Sequence, residues 1–174
     1  AFWNAPRKSE LHMEQATLAL FQFREALIRI NEKFASIGFP VIDIGVGSNP
    51  DAAGRLQLAA DDGLLHPARL RRAGGEPIAV DRAWMPAATT RALLDVEWTR
   101  TALYTELAAI GAHVPTHGWE RLTPVVPAAG DRAALELPDG VAAFFRERVG
   151  MVDQVPIEWR TTVIRGDRYR FVAD

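Results

Sequence analysis

The chain has 174 residues, 48% of them hydrophobic and 24% charged, with a net charge of −2 and no cysteine. That is enough for one well-filled core, and it excludes disulfides, thiolate nucleophiles and cysteine metal sites. The charge balance argues against a nucleic-acid surface over the whole chain, and no apolar run approaches membrane-spanning length.

Ala1-Phe2-Trp3-Asn4-Ala5-Pro6-Arg7-Lys8 begins abruptly, without an initiator methionine or the basic-then-apolar pattern of a leader. A cytoplasmic protein is the default expectation. Leu18, Phe21, Leu27, Ile28, Ile30 and Phe34 recur near helical spacing, which predicts a helix from Glu14 to Ile37 that Gly38 and Pro40 end. Val41 to Val46 alternates as a strand does, and Gly47-Ser48-Asn49-Pro50 turns out of it. Asp51-Ala52-Ala53 and Asp131-Arg132-Ala133 predict short helices capped by their aspartates, because a carboxylate accepts from the free amides of a first turn. Between them, helices are expected over Ala88 to Leu94, after Pro86, and over Thr99 to Ile110, before Gly111. The run from His113 to Glu120 leads into a strand that reaches Val126. The chain's end reads as a hairpin: Pro156-Ile157-Glu158-Trp159-Arg160, a Gly166-Asp167 turn, then an aromatic exit strand through Tyr169 and Phe171.

An internal repeat runs through this order. Leu56-Gln57-Leu58, Asp62-Gly63, Arg69-Leu70-Arg71 and Pro77-Ile78 match Leu135-Glu136-Leu137, Asp139-Gly140, Arg146-Glu147-Arg148 and Pro156-Ile157. The unit is too long for a solenoid and predicts a duplicated half-domain, with a cleft between halves that share one sheet. Hairpins with helices at intervals, lacking strict β-α-β alternation, predict an α+β domain with a largely antiparallel sheet and helices packed on it.

Arg69 and Arg71 lie two apart on a predicted strand, so both point to one face. Two guanidiniums there repel unless an anion lies between them, which makes a phosphate or carboxylate ligand the functional reading. The plainer reading is solvated arginines, or arginines paired with Asp81 and Glu158. Glu158, set among Pro156, Ile157 and Trp159, is either a structural acid bonded to an arginine across the sheet or an acceptor for ligand hydroxyls. His113, His117 and Glu120 invite a metal, but Pro115 and Gly118 break the helix that would align them, so no metal site is expected. Gly45-Val46-Gly47-Ser48 lacks the ending of a phosphate loop, and no serine has a nucleophile's setting; neither a catalytic group nor a cofactor is expected.

Arg69-Leu70-Arg71-Arg72-Ala73-Gly74-Gly75-Glu76-Pro77-Ile78, Trp84-Met85-Pro86, Leu103-Tyr104-Thr105-Glu106-Leu107, Leu135-Glu136-Leu137-Pro138 and Pro156-Ile157-Glu158 with Arg165-Gly166-Asp167-Arg168-Tyr169-Arg170-Phe171 occur in this order. Together they resemble the UTRA domain, the effector-sensing domain of the HutC subfamily of GntR-type bacterial transcription regulators. The resemblance runs from about Phe23 to Phe171. It implies a chorismate-lyase-like fold with two related halves around a ligand cleft, and an N-terminal winged helix-turn-helix that binds operator DNA. Residues 1–8 are similar to the last strand of that wing, which leaves residues 9–174 as the effector domain and the DNA-binding half outside this chain.

The same resemblance implies an effector site of Arg69, Arg71, Asp81, Tyr104 and Glu158, with the Arg-x-Arg pair on the anion. The effector expected is a small anion: a phosphorylated sugar, a phosphonate or a carboxylate. A homodimer, palindromic half-sites and no membrane contact are also implied. Ala102 stands where many sugar-phosphate sensors have serine and Ile164 where some have tyrosine, which points to a less hydroxylated ligand. A chorismate-lyase-type enzyme acting on a small dicarboxylate shares the fold and is the alternative; the wing-like start and the Arg-Gly-Asp-Arg-Tyr ending favour the sensor.

Overall fold

Six strands account for much of the described chain, which comprises residues 41–98 and 101–170 of a computed structural model. They are β1 (Val41–Gly47), β2 (Leu64–Ala73), β3 (Glu76–Pro86), β4 (His117–Val125), β5 (Ala143–Val152) and β6 (Val155–Arg165). All pair antiparallel in the order β1-β2-β3-β6-β5-β4, so each half supplies three adjacent strands and the halves join along β3 and β6. The expected α+β architecture is what forms. The helices are short: α1 (Pro50–Arg55), α2 (Ala87–Thr90) running on as a 3-10 turn (Arg91–Asp95), α3 (Leu103–Ala109) and α4 (Ala129–Ala134). Among the described residues no helix is long and apolar enough to cross a membrane.

The repeat is geometric as well as sequential. α1 and α4, β2 and β5, and β3 and β6 each begin 79 residues apart, at Pro50 and Ala129, Leu64 and Ala143, Glu76 and Val155. Both helices end alike. Gln57 (φ 58°) and Glu136 (φ 51°) take the left-handed conformation, and Leu58 and Leu137 donate their amides back to Ala53 and Arg132 at 2.9 and 3.0 Å. That closure satisfies carbonyls the helix leaves free and turns the chain toward the next strand. The spacing corrects the expected register, which put Arg69-Leu70-Arg71 on Arg146-Glu147-Arg148. At 79 residues Arg69 corresponds to Arg148 and Arg71 to Gly150, because the loops from helix to strand are equally long in the two halves and the two Asp-Gly pairs fall at different points along them.

Three further expectations change. The cap of α1 is Asn49, whose side chain accepts from the Ala52 amide at 3.0 Å; Asp51 sits inside the first turn. Ala128 precedes α4 with no side-chain cap, and Asp131 again lies in the first turn. Among the described residues the hairpin expected near the end of the chain does not form. β6 is one strand of 11 residues, its hairpin partner is the preceding β5, and Tyr169 and Arg170 beyond the Gly166-Asp167 turn belong to no strand. The helix expected over Thr99 to Ile110 runs from Leu103 to Ala109. The helix expected over 14–37, the wing-like segment 1–8 and Phe171 lie outside the described residues.

The sheet has two different faces. On one, Leu56, Leu64 and the stacked Trp84 and Trp159 (ring centroids 4.7 Å apart) pack with α1, while Val80, Val163, Leu135 and Leu137 pack with α4. On the other, Leu65, Ala83 and Met85 bury against Leu93, Trp98, Leu103 and Leu107 of the α2–α3 segment. Each fully buried leucine adds about 1.5–3 kcal/mol of transfer free energy, so both layers hold firmly. That segment covers only one end of its face, and charged residues occupy the middle.

The charged face and its candidate effector site

Directly paired residues of neighbouring strands point to the same side, so the register fixes the composition of this face. One cross-strand row reads Arg69 (β2), Asp81 (β3), Thr162 (β6) and Arg146 (β5). The next reads Ala83, Arg160 and Arg148, with Glu120 of β4 beyond. Arg71 stands opposite Ala79, in line with Ile164 and Phe144. Short side chains at Ala79 and Ala83 leave the arginines to reach inward over the middle of the sheet.

Two carboxylates organise the cluster, and both are buried. Asp81 is 1% exposed; it accepts from Thr162 Oγ1 at 2.6 Å and from Arg71 Nε, and lies 3.9 Å from Arg69 Nη2. Glu158, also 1% exposed, accepts from Tyr104 Oη at 2.6 Å, Arg148 Nη2 at 3.1 Å and Arg160 Nε at 2.9 Å. Tyr104 reaches this acid from α3, and its ring lies 5.5 Å from the Arg148 guanidinium and 5.3 Å from that of Arg160. Pro115 closes over the same end. A Cβ on Gly150 would stand 2.7 Å from the proline Cγ, so this β5 position admits only glycine without displacing it.

The electrostatics follow from that packing. Burial alone would raise both carboxyls, yet Arg71, Arg160 and Arg69 hold Asp81 well below the usual carboxylate range, and Arg160 with Arg148 do the same for Glu158. Burial, with repulsion from Arg160, lowers Arg69 to about 10, although Asp81 supports its charge. Burial also lowers Arg148 to about 10, against support from Glu158. All remain charged at neutral pH. Four arginines (Arg69, Arg71, Arg148, Arg160) thus surround two carboxylates, and counting Glu120 and Arg146 at the rim makes five against three. Either count leaves two positive charges in excess among the described residues, within a chain whose net charge is −2. A half-buried excess of this kind favours an anion, and paired guanidiniums grip oxyanions in two places at once.

All five residues expected at the site, Arg69, Arg71, Asp81, Tyr104 and Glu158, therefore meet on one face. Their contacts differ from the expectation in one respect: both arginines already engage Asp81, and Tyr104 already bonds Glu158, so each is held internally. Arg148, Arg160 and Thr162 were not anticipated. For Arg160 and Thr162 the signal was present, since they follow Glu158 at the two-residue spacing of one strand face. His113, His117 and Glu120 do not converge; among the described residues no three such side chains are arranged to hold a metal ion. A cavity of about 290 Å³ lies beside the cluster, lined by Leu56, Met85, Leu107, His113, Pro156 and Glu158 among others. It meets the charged face only through Glu158, whose carboxylate is already fully engaged, so the excess charge lies elsewhere.

The sequence pattern of the UTRA domain matches residues 41–170, three quarters of the chain and every element described above. This chain belongs to the UTRA family. UTRA domains are the ligand-sensing parts of GntR-type transcription regulators, and the role of this one is to sense a small molecule in regulation. Solved structures share its fold. The effector domain of PhnF from Mycobacterium smegmatis is 22% identical, with a TM-score of 0.75 over 83% of this chain and 93% of that one. The C-terminal domain of the histidine utilization repressor from Pseudomonas syringae pv. tomato is 14% identical, with a TM-score of 0.71 over 79% and 96%. A larger PhnF structure from M. smegmatis is 24% identical, with a TM-score of 0.71, and this chain spans 61% of it.

Proposed function

We propose that this UTRA domain senses a small metabolite with an anionic end, held on the arginine face where its two halves join. Arg69 and Arg71 are the anion contacts, Asp81 sets their geometry, and the polar remainder of the ligand takes over the bond that Tyr104 and Glu158 make with each other. The observation that carries this reading is the excess of two positive charges on a face that is otherwise half-buried. Ile164, Phe144 and Tyr169, the last two edge-on with ring centroids 6.1 Å apart, make the far end of the face apolar, which supports a ligand that is less hydroxylated than a sugar phosphate. The domain works as a homodimer in the cytoplasm and reaches operator DNA through an N-terminal winged helix-turn-helix. A monomeric mass in light scattering at tens of micromolar would contradict the dimer.

The chorismate-lyase reading has less support. Asp81 and Glu158 are both ionised and fully bonded, so neither is poised to exchange a proton near neutral pH. Release of 4-hydroxybenzoate from chorismate would reverse this ranking.

Thermal melting against phosphorylated sugars, phosphonates and carboxylates tests the sensor directly, because a ligand bound only to the folded state raises its melting point. With a confirmed effector, Arg71→Ala is expected to weaken binding by about 1.5–3 kcal/mol. It also lowers the melting point without ligand, since Asp81 loses a bonded partner. An unchanged ligand response in that variant would make the pair structural only.

A further inference from the structure

Arg146 is the one arginine of the central charged rows that makes no hydrogen bond or ion pair among the described residues. It is half-buried, on β5, at the end of the row that begins at Arg69 and passes through Asp81 and Thr162. The row spans three strand spacings, about 14 Å, so long side chains from both ends converge over its short middle residues. Arg69 and Arg71 approach from the first half and share Asp81, whereas Arg146 approaches from the second half and shares nothing. The guanidinium of Arg146 nonetheless acts on that of Arg71: it is among the charges that, after burial, lower the Arg71 pKa. Two like charges on one face that come from opposite halves, one of them without an internal counter-charge, can grip an oxyanion from two sides.

We infer that Arg146 is an effector-contacting residue, and that the effector's oxyanion sits between Arg146 and Arg71, bridging the two halves of the sheet. The inference rests on the sensor reading above and adds a contact from β5 that the Arg-x-Arg pair of β2 does not supply. Asp81 neutralises part of the first-half pair in advance, so the discrimination between charged and neutral ligands falls mainly on Arg146. A ligand seated this way ties β2 to β5 across β3 and β6. Binding is thereby felt in both halves at once, which a sensor needs if it is to alter an assembly.

The test uses inorganic phosphate as probe, in titrations at constant ionic strength with sodium chloride as the balancing salt. Side-chain Nε–Hε resonances of the arginines are followed by NMR. In the wild-type chain the Arg146 and Arg71 signals are expected to move together along one saturation curve. Arg146→Gln, which removes the charge and leaves a shorter polar side chain, is expected to raise the phosphate Kd at least about tenfold, or roughly 1.4 kcal/mol. It should not lower the melting point without phosphate, since no bond is lost and a repulsion on Arg71 is relieved. If Arg71→Ala abolishes the response while Arg146→Gln keeps it, the sensor site stands and the Arg146 inference falls. A wild-type titration in which no arginine signal saturates overturns both. Should Arg146→Gln fold poorly, the wild-type Arg146 signal decides alone: a resonance that stays still through saturation refutes the contact.

Discussion

Arg160 occupies in the second half the position that Asp81 occupies in the first, 79 residues earlier, and the two buried side chains carry opposite charge. They point to the same face of the central strand pair, and each steadies the charge of the other. Duplication supplied two equivalent backbone positions; the sequence filled them with an acid and a base. The fold is therefore nearly two-fold while its site is not, and an asymmetric ligand meets the face in one orientation only.

Removing the acid of that pair exposes how much it holds. Asp81→Asn keeps the shape and the Thr162 contact but leaves Arg69 and Arg71 without their shared carboxylate. Breaking a buried ion pair from one side costs about 3–5 kcal/mol, which is expected here as a lower urea midpoint with an unchanged slope. A loss below about 1 kcal/mol would mean that Asp81 does not hold the arginines in place.

Acid should unfold the domain through the same two carboxylates. In the folded state Asp81 and Glu158 titrate well below their ordinary range, pulled down by Arg71, Arg160 and Arg148 against the effect of burial. Their unfolded values lie near about 3.9 and 4.3. A depressed folded pKa contributes stability that is complete above the unfolded value and is lost as pH falls through it toward the folded value. The melting point is expected to be flat from pH 7 to 5 and to drop steeply below about 4. In Asp81→Asn the drop should be shallower; an equally steep one would place the acid sensitivity elsewhere.

The two helix ends offer a prediction in the opposite direction. Gln57 and Glu136 hold φ at 58° and 51°, which costs a side-chain-bearing residue about 1–2 kcal/mol. Glycine has no such cost, although it adds freedom to the unfolded chain. Gln57→Gly and Glu136→Gly are each expected to stabilise the domain by about 0.5–1 kcal/mol. The exposed Glu136–Arg72 pair lost in the second, at 3.7 Å, is worth little. A drop in denaturant midpoint for either variant would show that the left-handed turn is not the strained point.

What the sequence determined by itself was local. Strand alternation put Arg69 and Arg71 on one face, a series of short matches exposed the duplication, and Gly111 and the Pro86 boundary marked helix limits that formed as expected. Local geometry is legible because neighbouring residues along the chain dictate it through sterics and hydrogen bonding. The hairpin read at the end of the chain does not form among the described residues, for the complementary reason: Gly166-Asp167 has turn chemistry, but β6 finds its partners in β5 and in β3, a strand that begins 79 residues earlier in the chain. That choice buries apolar residues on both faces at once, and no window of sequence contains it. The β5–β6 hairpin brings Arg148 to Glu158, and the adjacency of β3 and β6 then sets Arg146 and Arg160 on the same face as Asp81. Which charges meet, and that cations outnumber acids where they meet, was decided by tertiary structure, because a charge excess belongs to a surface and only folding makes one.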